Sequence, residues 1–250
     1  MKALITGASS GIGKEIAVIL NDMGYDLILV SKNARKLEKT RKEINENAEI
    51  IDMDISSTYN CMKLYNKVKK EDIEIVVNSA GFGLYGNFDE TKIDKEMDMI
   101  DTNIKGLHIL TKLFLHDFKE KNRGYILNVA SSAAFLPGPL MSTYYATKAY
   151  VLHITEAINE ELKREKSNVY IGALCPGPVE TNFNKVAGVE FNLKSLNASY
   201  VALYAIDKMF KRKVIIIPGF KVKLGVFMLR LIPRNLITKI SYNIQKKKSN

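Results

Sequence analysis

The sequence predicts one α/β domain, a doubly wound sheet of seven parallel strands with helices on both faces. Three observations carry this. Strand and helix patterns alternate from the first residue, which is the signature of βαβ units. A glycine-rich turn, TGASSGIG at residues 6–13, joins the first strand to the first helix. The candidate strands end, at their carboxyl ends, in small or polar residues: Thr6-Gly7, Ser31-Lys32, Asp54, Asn78, Ser131 and Pro176-Gly177.

The elements follow in order. The first strand is Lys2–Thr6, and the helix after it sets Ile12, Ile16, Ile19, Leu20 and Met23 on one face before Gly24 stops it. The second strand is Leu27–Val30, with a charged helix around Arg35–Asn47, and the third is Glu49–Met53. A helix bearing Cys61, Leu64, Tyr65 and Val68 leads to the fourth strand, Ile73–Asn78. One long helix then carries Ile93, Met97, Ile100, Ile104, Leu107, Phe114 and Phe118 on one side. The fifth strand is Tyr125–Ala130, a helix spans about Tyr144 to Lys166, the sixth strand is Val169–Cys175, and a short seventh is Val214–Ile217. The expected division is 1–217 for the domain, with a substrate lid at 182–200, and 218–250 for a basic amphipathic tail.

Bulk properties fit this reading. A chain of 250 residues with 46% hydrophobic and 26% charged residues suits one well-buried soluble domain. Cys61 and Cys175 have no metal-ligand spacing, and His108, His116 and His153 form no metal-binding pair, so no metal site and a cytoplasmic location are expected. Met1–Ile5 already reads as a strand, so no leader is expected, and no apolar run approaches a membrane span. The formal charge of +10 is uneven: residues 208–250 carry twelve Lys or Arg and no acid, a surplus of +12 against −2 elsewhere. This tail has two readings, peripheral contact with an anionic membrane or docking on the chain's own core or a partner subunit. Its basic residues lie in no recognised nucleic-acid module, so no nucleic-acid partner is expected. Gly225 and Pro233 should interrupt any long helix there.

The turn at 6–13 has the chemistry of a phosphate loop. A tight turn, close backbone approach to a pyrophosphate and helix–strand packing all need small residues: Gly7, Ser9, Ser10, Gly11 and Gly13, with Ile12 packing inward. An NAD site usually has an acid at the end of the second strand. Here stand Ser31, Lys32 and Arg35, which would pair with a 2′-phosphate. NADP(H) is therefore preferred and NAD(H) possible, the bland alternative being solvated helix-cap charges.

Tyr144 and Lys148 lie four apart on a helix, where an ammonium can make a phenol usable as an acid–base. Five of the twelve tyrosines have Lys at i+4, so the pair alone is background. Only Tyr144 opens the helix that follows a strand ending in a serine, Ser131, whose hydroxyl could donate to the same substrate oxygen.

TGASSGIG at 6–13, Asp54, NSAG at 78–81, Asn103, Ser131, YYATK at 144–148 and PGPVET at 176–181 together resemble the short-chain dehydrogenase/reductase family over nearly the whole chain. The resemblance implies a Rossmann-type fold and nicotinamide-dependent interconversion of a ketone and an alcohol. It also implies roles. Gly7, Gly11 and Gly13 line the pyrophosphate turn, Asp54 and Ile55 contact adenine, and Asn78, Ala80 and Gly81 support the sheet and cofactor. Tyr144 is the general acid–base, and Lys148 holds the nicotinamide ribose and lowers the Tyr144 pKa. Ser131 orients the carbonyl, and Asn103 holds a water that links Lys148 to solvent. Pro176, Gly177, Val179 and Thr181 cover the nicotinamide. Ser79 departs from the asparagine common in the family, and Ser132 and Tyr145 are neighbours in supporting positions. The stretches GFGLYG, LNVASSAAFLPGP, ALCPGPVET and VIIIPG are similar to bacterial 3-ketoacyl and 17β-hydroxysteroid reductases, which suggests a lipophilic substrate. A homodimer or homotetramer is the usual family assembly. The competing function is a catalytically idle NADP-binding sensor or scaffold. The segment after PGPVET, with Phe183, Val186, Val189, Phe191 and Leu193 interleaved with Lys185 and Lys194, reads as an apolar lid with a basic rim.

Overall fold

The computed structural model describes residues 1–183, 187–188 and 195–246. Seven parallel strands form one sheet in the order β3-β2-β1-β4-β5-β6-β7. They are β1 (Lys2–Thr6), β2 (Asp26–Ser31), β3 (Glu49–Asp52), β4 (Ile73–Asn78), β5 (Tyr125–Val129), β6 (Tyr170–Leu174) and β7 (Ile215–Ile216). The reversal between β1 and β4 opens a crevice at the carboxyl ends of the strands, where ligands bind in such sheets.

Both faces of the sheet are buried, as parallel strands require. Side chains alternate between them. Ala3, Ile5, Leu27, Leu29, Ile75 and Val77 join the core under α1 (Gly11–Asp22). Leu4, Ile28, Val30 and Val76 join the opposite core, under α3 (Thr58–Val68) and α5 (Leu107–Lys121). The charged helix α2 (Ala34–Ile44) is capped by Asn33, whose side chain accepts from the Lys36 N–H at 2.9 Å.

Three features differ from the sequence expectation: the rod after β4, the stretch 198–200 and the place of Gly225. The long rod after β4 is divided: α4 (Ile93–Ile100) passes through a π turn at Asp101–Gly106 before α5 begins. Residues 198–200, expected in the lid, open a further helix, α7 (Ala198–Phe210), which follows α6 (Ser142–Arg164). Asn197 caps α7, and Val201, Ala202, Ala205, Ile206 and Met209 pack it under the β1 side of the sheet. Gly225 lies inside a helix, α8 (Phe220–Met228), while Pro233 does separate α8 from α9 (Arg234–Lys246). The tail also docks on the chain's own domain, through Ile237, Ser241 and Gln245 of α9. Of the expected lid, Lys185, Val186, Val189, Phe191, Leu193 and Lys194 lie outside the described residues.

Candidate active site

The phosphate loop is held by Thr6. Its hydroxyl accepts from the N–H groups of Ser79 at 3.1 Å and Ala80 at 3.3 Å, which ties the ends of β1 and β4 together. Gly7 has φ +68°, and a Cβ there would lie 2.7 Å from the Ala80 nitrogen. A Cβ on Gly13 would lie 2.6 Å from the Gly7 carbonyl oxygen. Neither side chain could be added without moving backbone, so the loop and α1 approach as closely as the motif requires. Ser10 precedes α1 without capping it through its side chain, so the helix N-terminus is left to another acceptor. A Cβ on Gly11 would lie 3.1 Å from the Thr181 methyl, so the loop faces the 176–181 segment. This backbone-lined cradle fits a pyrophosphate.

Next to the loop, Ser31 donates to Ser9 at 2.9 Å. Lys32 pairs with Asp54 at 3.5 Å, and Arg35 is exposed in the first turn of α2, which holds no acid. Burial opposes ionisation of Asp54, but the Ser56 N–H at 3.0 Å and Lys32 outweigh it and hold the carboxyl below its usual range. The Ile55 carbonyl accepts from the Cys61 thiol at 3.1 Å. The backbone of the π turn also reaches it, since a Cβ on Gly106 would lie 2.3 Å from that oxygen.

The candidate reaction centre lies where β4, β5 and α6 converge. Asn103 projects from the π turn, an irregularity that re-aims side chains and recurs at functional sites. It donates to the Phe82 carbonyl at 2.9 Å and to Thr147 at 3.1 Å, and accepts from the Phe82 N–H at 3.1 Å. A Cβ on Gly81 would come within 2.9 Å of Asn103 Oδ1 and 3.4 Å of Lys148 Nζ, so Gly81, Asn103 and Lys148 meet at one point. Lys148 is buried and donates to the Val129 carbonyl at 2.8 Å. Burial pulls its pKa down to about 8. Its ammonium lies 5.9 Å from the centroid of the Tyr144 ring.

Tyr144 is buried. Burial pushes its phenol well above the usual range, a hydrogen bond with the Ser131 side chain works against that rise, and Tyr145 adds to it. The Ser131 hydroxyl accepts from the Ala133 N–H at 3.1 Å and so keeps its own proton to donate. The Ser132 N–H donates to the Pro176 carbonyl at 2.8 Å, which fixes this turn to the end of β6. The structure thus brings Ser131, Tyr144, Lys148 and Asn103 together, while Arg35 stands apart on the surface.

Asn78 has a supporting place. It donates to Thr111 at 3.1 Å and Asn128 at 2.9 Å, and Asn128 donates to Thr155 at 3.0 Å, so one buried polar chain joins β4 and β5 to α5 and α6. Val179 is buried and bridges to Leu196. Gly177 approaches α8 closely, since a Cβ there would lie 2.8 Å from a Val222 methyl.

Several contributors carry no sequence motif. Glu96, buried on α4, accepts from Thr143 at 2.9 Å and so anchors the first turn of α6 beside Tyr144. The Tyr144 ring contacts Phe183 with centroids 5.2 Å apart, within an apolar cluster that includes Met99, Met141 and Ala187. Tyr145 accepts from Gln245 of α9, and Tyr85 donates to the Gln245 carbonyl at 3.3 Å. Burial raises the Tyr145 phenol to about 12, although Gln245 opposes the rise. Both cysteines are free and buried, which raises Cys61 to about 11 and Cys175 to about 12.

Comparison with known proteins bears on most of the chain. The family profile described as short chain dehydrogenase matches residues 1–190. An uncharacterized oxidoreductase of Staphylococcus epidermidis is 33% identical over 213 residues, covering 82% of this chain and 90% of that protein. A short-chain dehydrogenase from Sphingobium yanoikuyae, solved in complex with NADPH, superposes with a TM-score of 0.83 at 27% identity over 94% of each chain. A short-chain dehydrogenase/reductase from Burkholderia phymatum, solved with NAD, gives a TM-score of 0.82 at 23% identity. That likeness covers 90% of this chain and 91% of the other, and at that identity it speaks for the fold.

Proposed function

The chain belongs to the short-chain dehydrogenase family, and from that premise we propose that it interconverts a ketone and a secondary alcohol, with NADP(H) as cofactor and Tyr144 as general acid and base. It is a nicotinamide-dependent oxidoreductase. The observation that carries the proposal is the buried meeting of the Tyr144 phenol, the Ser131 hydroxyl and the Lys148 ammonium beside a phosphate loop.

Gly7, Gly11 and Gly13 with the open start of α1 would hold the pyrophosphate, and Asp54, Ile55 and the 176–181 segment would flank the two ends of the cofactor. Bound there, a nicotinamide dinucleotide supplies or accepts the hydride. The rest is done by this chain. Ser131 donates to the carbonyl oxygen and fixes its position. Tyr144, which burial favours as the neutral phenol, gives its proton to that oxygen in reduction, and in oxidation its phenolate takes the proton of the alcohol. Lys148 places a positive charge near both, and Asn103 holds the irregular turn through which a water can reach it. The apolar cluster around Tyr144 supports a lipophilic ketone, of ketoacyl or steroid kind, and excludes water from the centre. The test is NADPH consumption against ketoacyl thioesters, ketosteroids, diketones and small aldehydes. No turnover of any ketone by protein that binds NADPH would remove the proposal.

Lys32 and Arg35, with no acid in the first turn of α2, support NADPH over NADH. Arg35→Ala should raise KM for NADPH about tenfold, the scale of a lost charge-assisted hydrogen bond, and leave KM for NADH unchanged. A wild-type preference for NADH in steady-state kinetics would reverse the assignment.

Lys148 sets a pH limit. Its pKa is depressed, so it is charged below about 8 and neutral above. In ketone reduction kcat/KM should hold level through neutral pH and fall as pH rises past about 8. Lys148→Arg stays charged throughout and should lose the falling limb while running more slowly. If the limb persisted in that variant, some other group would own it.

The free, buried cysteines support a cytoplasmic location. No helix among the described residues is long and apolar enough to cross a membrane. Exposed Ile93 and Met97 on α4 support a homodimer or homotetramer.

A further inference from the structure

Helix α8 is nine residues long and mostly apolar, yet none of its side chains is fully buried. Val222, Val226 and Leu229, spaced by four and three, turn partly inward. The other side exposes Phe220 at 79%, Phe227 at 56% and, in the turn that follows, Leu231 at 68%.

Helix α9 is turned the opposite way from its hydropathy. It buries Ser241 and Gln245 with Ile237 and holds Leu236, Ile240 and Ile244 outward as one stripe. The Ser241 hydroxyl and the Gln245 Oε1 are buried without a hydrogen-bond partner. A helix that spends its inner face on amide and hydroxyl groups gains stability when something covers the apolar outer one.

Charge says what covers it. Residues 220–250 carry eight Lys or Arg and no acid, and Lys221, Lys223, Arg230, Arg234 and Lys239 are exposed among the apolar side chains. A second copy meeting this face with its own would set like charge against like. The apolar side chains stand out from helices instead of lining a groove, and acyl chains accommodate such protrusions without a matching cavity.

We propose that α8, the turn after it and the outer stripe of α9 form a docking face for an anionic lipid bilayer. The face lies beside the reaction centre. Val222 packs on Gly177 of the nicotinamide-flanking segment, and Gln245 is bonded to Tyr145, the neighbour of Tyr144. The bilayer is then the source of a lipophilic ketone, and this part rests on the substrate reading given above.

The test is flotation of the full-length protein with vesicles, which reads the contact without turnover. At low salt the protein should float with phosphatidylcholine vesicles containing phosphatidylglycerol and stay behind with phosphatidylcholine alone. Salt at about 1 M, where the screening length falls to about 3 Å, should release most of it. The double variant Phe227→Glu, Leu231→Glu should lower partitioning at least about tenfold, with NADPH-dependent reduction of a water-soluble ketone unchanged. Failure of the wild type to float with anionic vesicles at low salt overturns the proposal. So does equal flotation of the variant. A dimer that the variant dissociates, with no vesicle binding by the wild type, also overturns it and gives the face to a second copy. Flotation without turnover of any lipophilic ketone leaves the docking face in place and removes only the substrate reading.

Discussion

Tyr144→Phe should lower kcat for ketone reduction about 10²–10⁴-fold, the usual weight of a positioned proton donor. NADPH affinity and melting temperature should stay near those of the wild type. The substitution removes one oxygen and keeps the ring, so the contacts with Phe183 at 5.2 Å and with Tyr145 at 6.0 Å between centroids remain. What is lost is the phenol hydrogen-bonded to Ser131. Tyr145→Phe is the companion variant. It breaks the bond to Gln245 and leaves Tyr144 in place, so it should keep most of the turnover. The measurement is NADPH consumption with any ketone that the wild type reduces, alongside NADPH binding by calorimetry. Tyr144→Phe running within tenfold of the wild type would move the proton donor elsewhere, and a collapse in Tyr145→Phe alone would name its place.

Gly13→Ala should cost the dinucleotide site. The added methyl would lie 2.6 Å from the Gly7 carbonyl oxygen and 3.1 Å from the Ser79 hydroxyl. The first is backbone and cannot swing aside, so α1 must retreat or the turn must open. Overpacking of this kind costs about 1–3 kcal/mol, which for a chain of this size lowers Tm by about 2–12 °C. Either movement pulls the α1 N-terminus from the place a pyrophosphate would occupy. The Kd for NADPH should therefore rise at least about tenfold, because anion binding depends on backbone N–H groups that cannot re-aim singly. Calorimetry at matched protein concentration checks this. Unchanged affinity in a stable variant would mean that the phosphate sits elsewhere.

The strands and the glycine-rich turn were legible because their signals are local. Alternating apolar runs mark the strands, and small residues between a strand and a helix mark the turn. The Tyr–Lys pairs sit in different environments. Tyr144 and Lys148 are both buried, whereas Tyr59 and Tyr242 are exposed and Tyr204 lies against Lys208 at 5.1 Å. Helix α7 carries a readable signal as well: Asn197 in capping position, then Val201, Ala205 and Met209 at helical spacing. Reading that stretch only by its place after β6 passes over it. Other features have no local signal. Nothing in DTNIKG distinguishes a π turn from an α-helix, and the close fit of its Gly106 against Ile55 involves a residue distant in the chain. The inward turn of Gln245 is equally remote, because its partners Tyr85 and Tyr145 lie far away in the chain. Glu96 reads as an ordinary charge on a helix until α6 is brought beside it.

The π turn at Asp101–Gly106 has a consequence for how this chain can vary in length. It stores one surplus residue in the middle of a helix, where insertions are normally rejected. Removing that residue would make the rod regular. It would also rotate one half against the other by about 100°, so that Leu110 and Phe114 could keep their places only if Glu96 and Met99 gave up theirs. A deletion that improves the helix by every local measure would thus unseat the anchor of α6 and the wall around Tyr144. Length in this segment is held by chemistry at a distance.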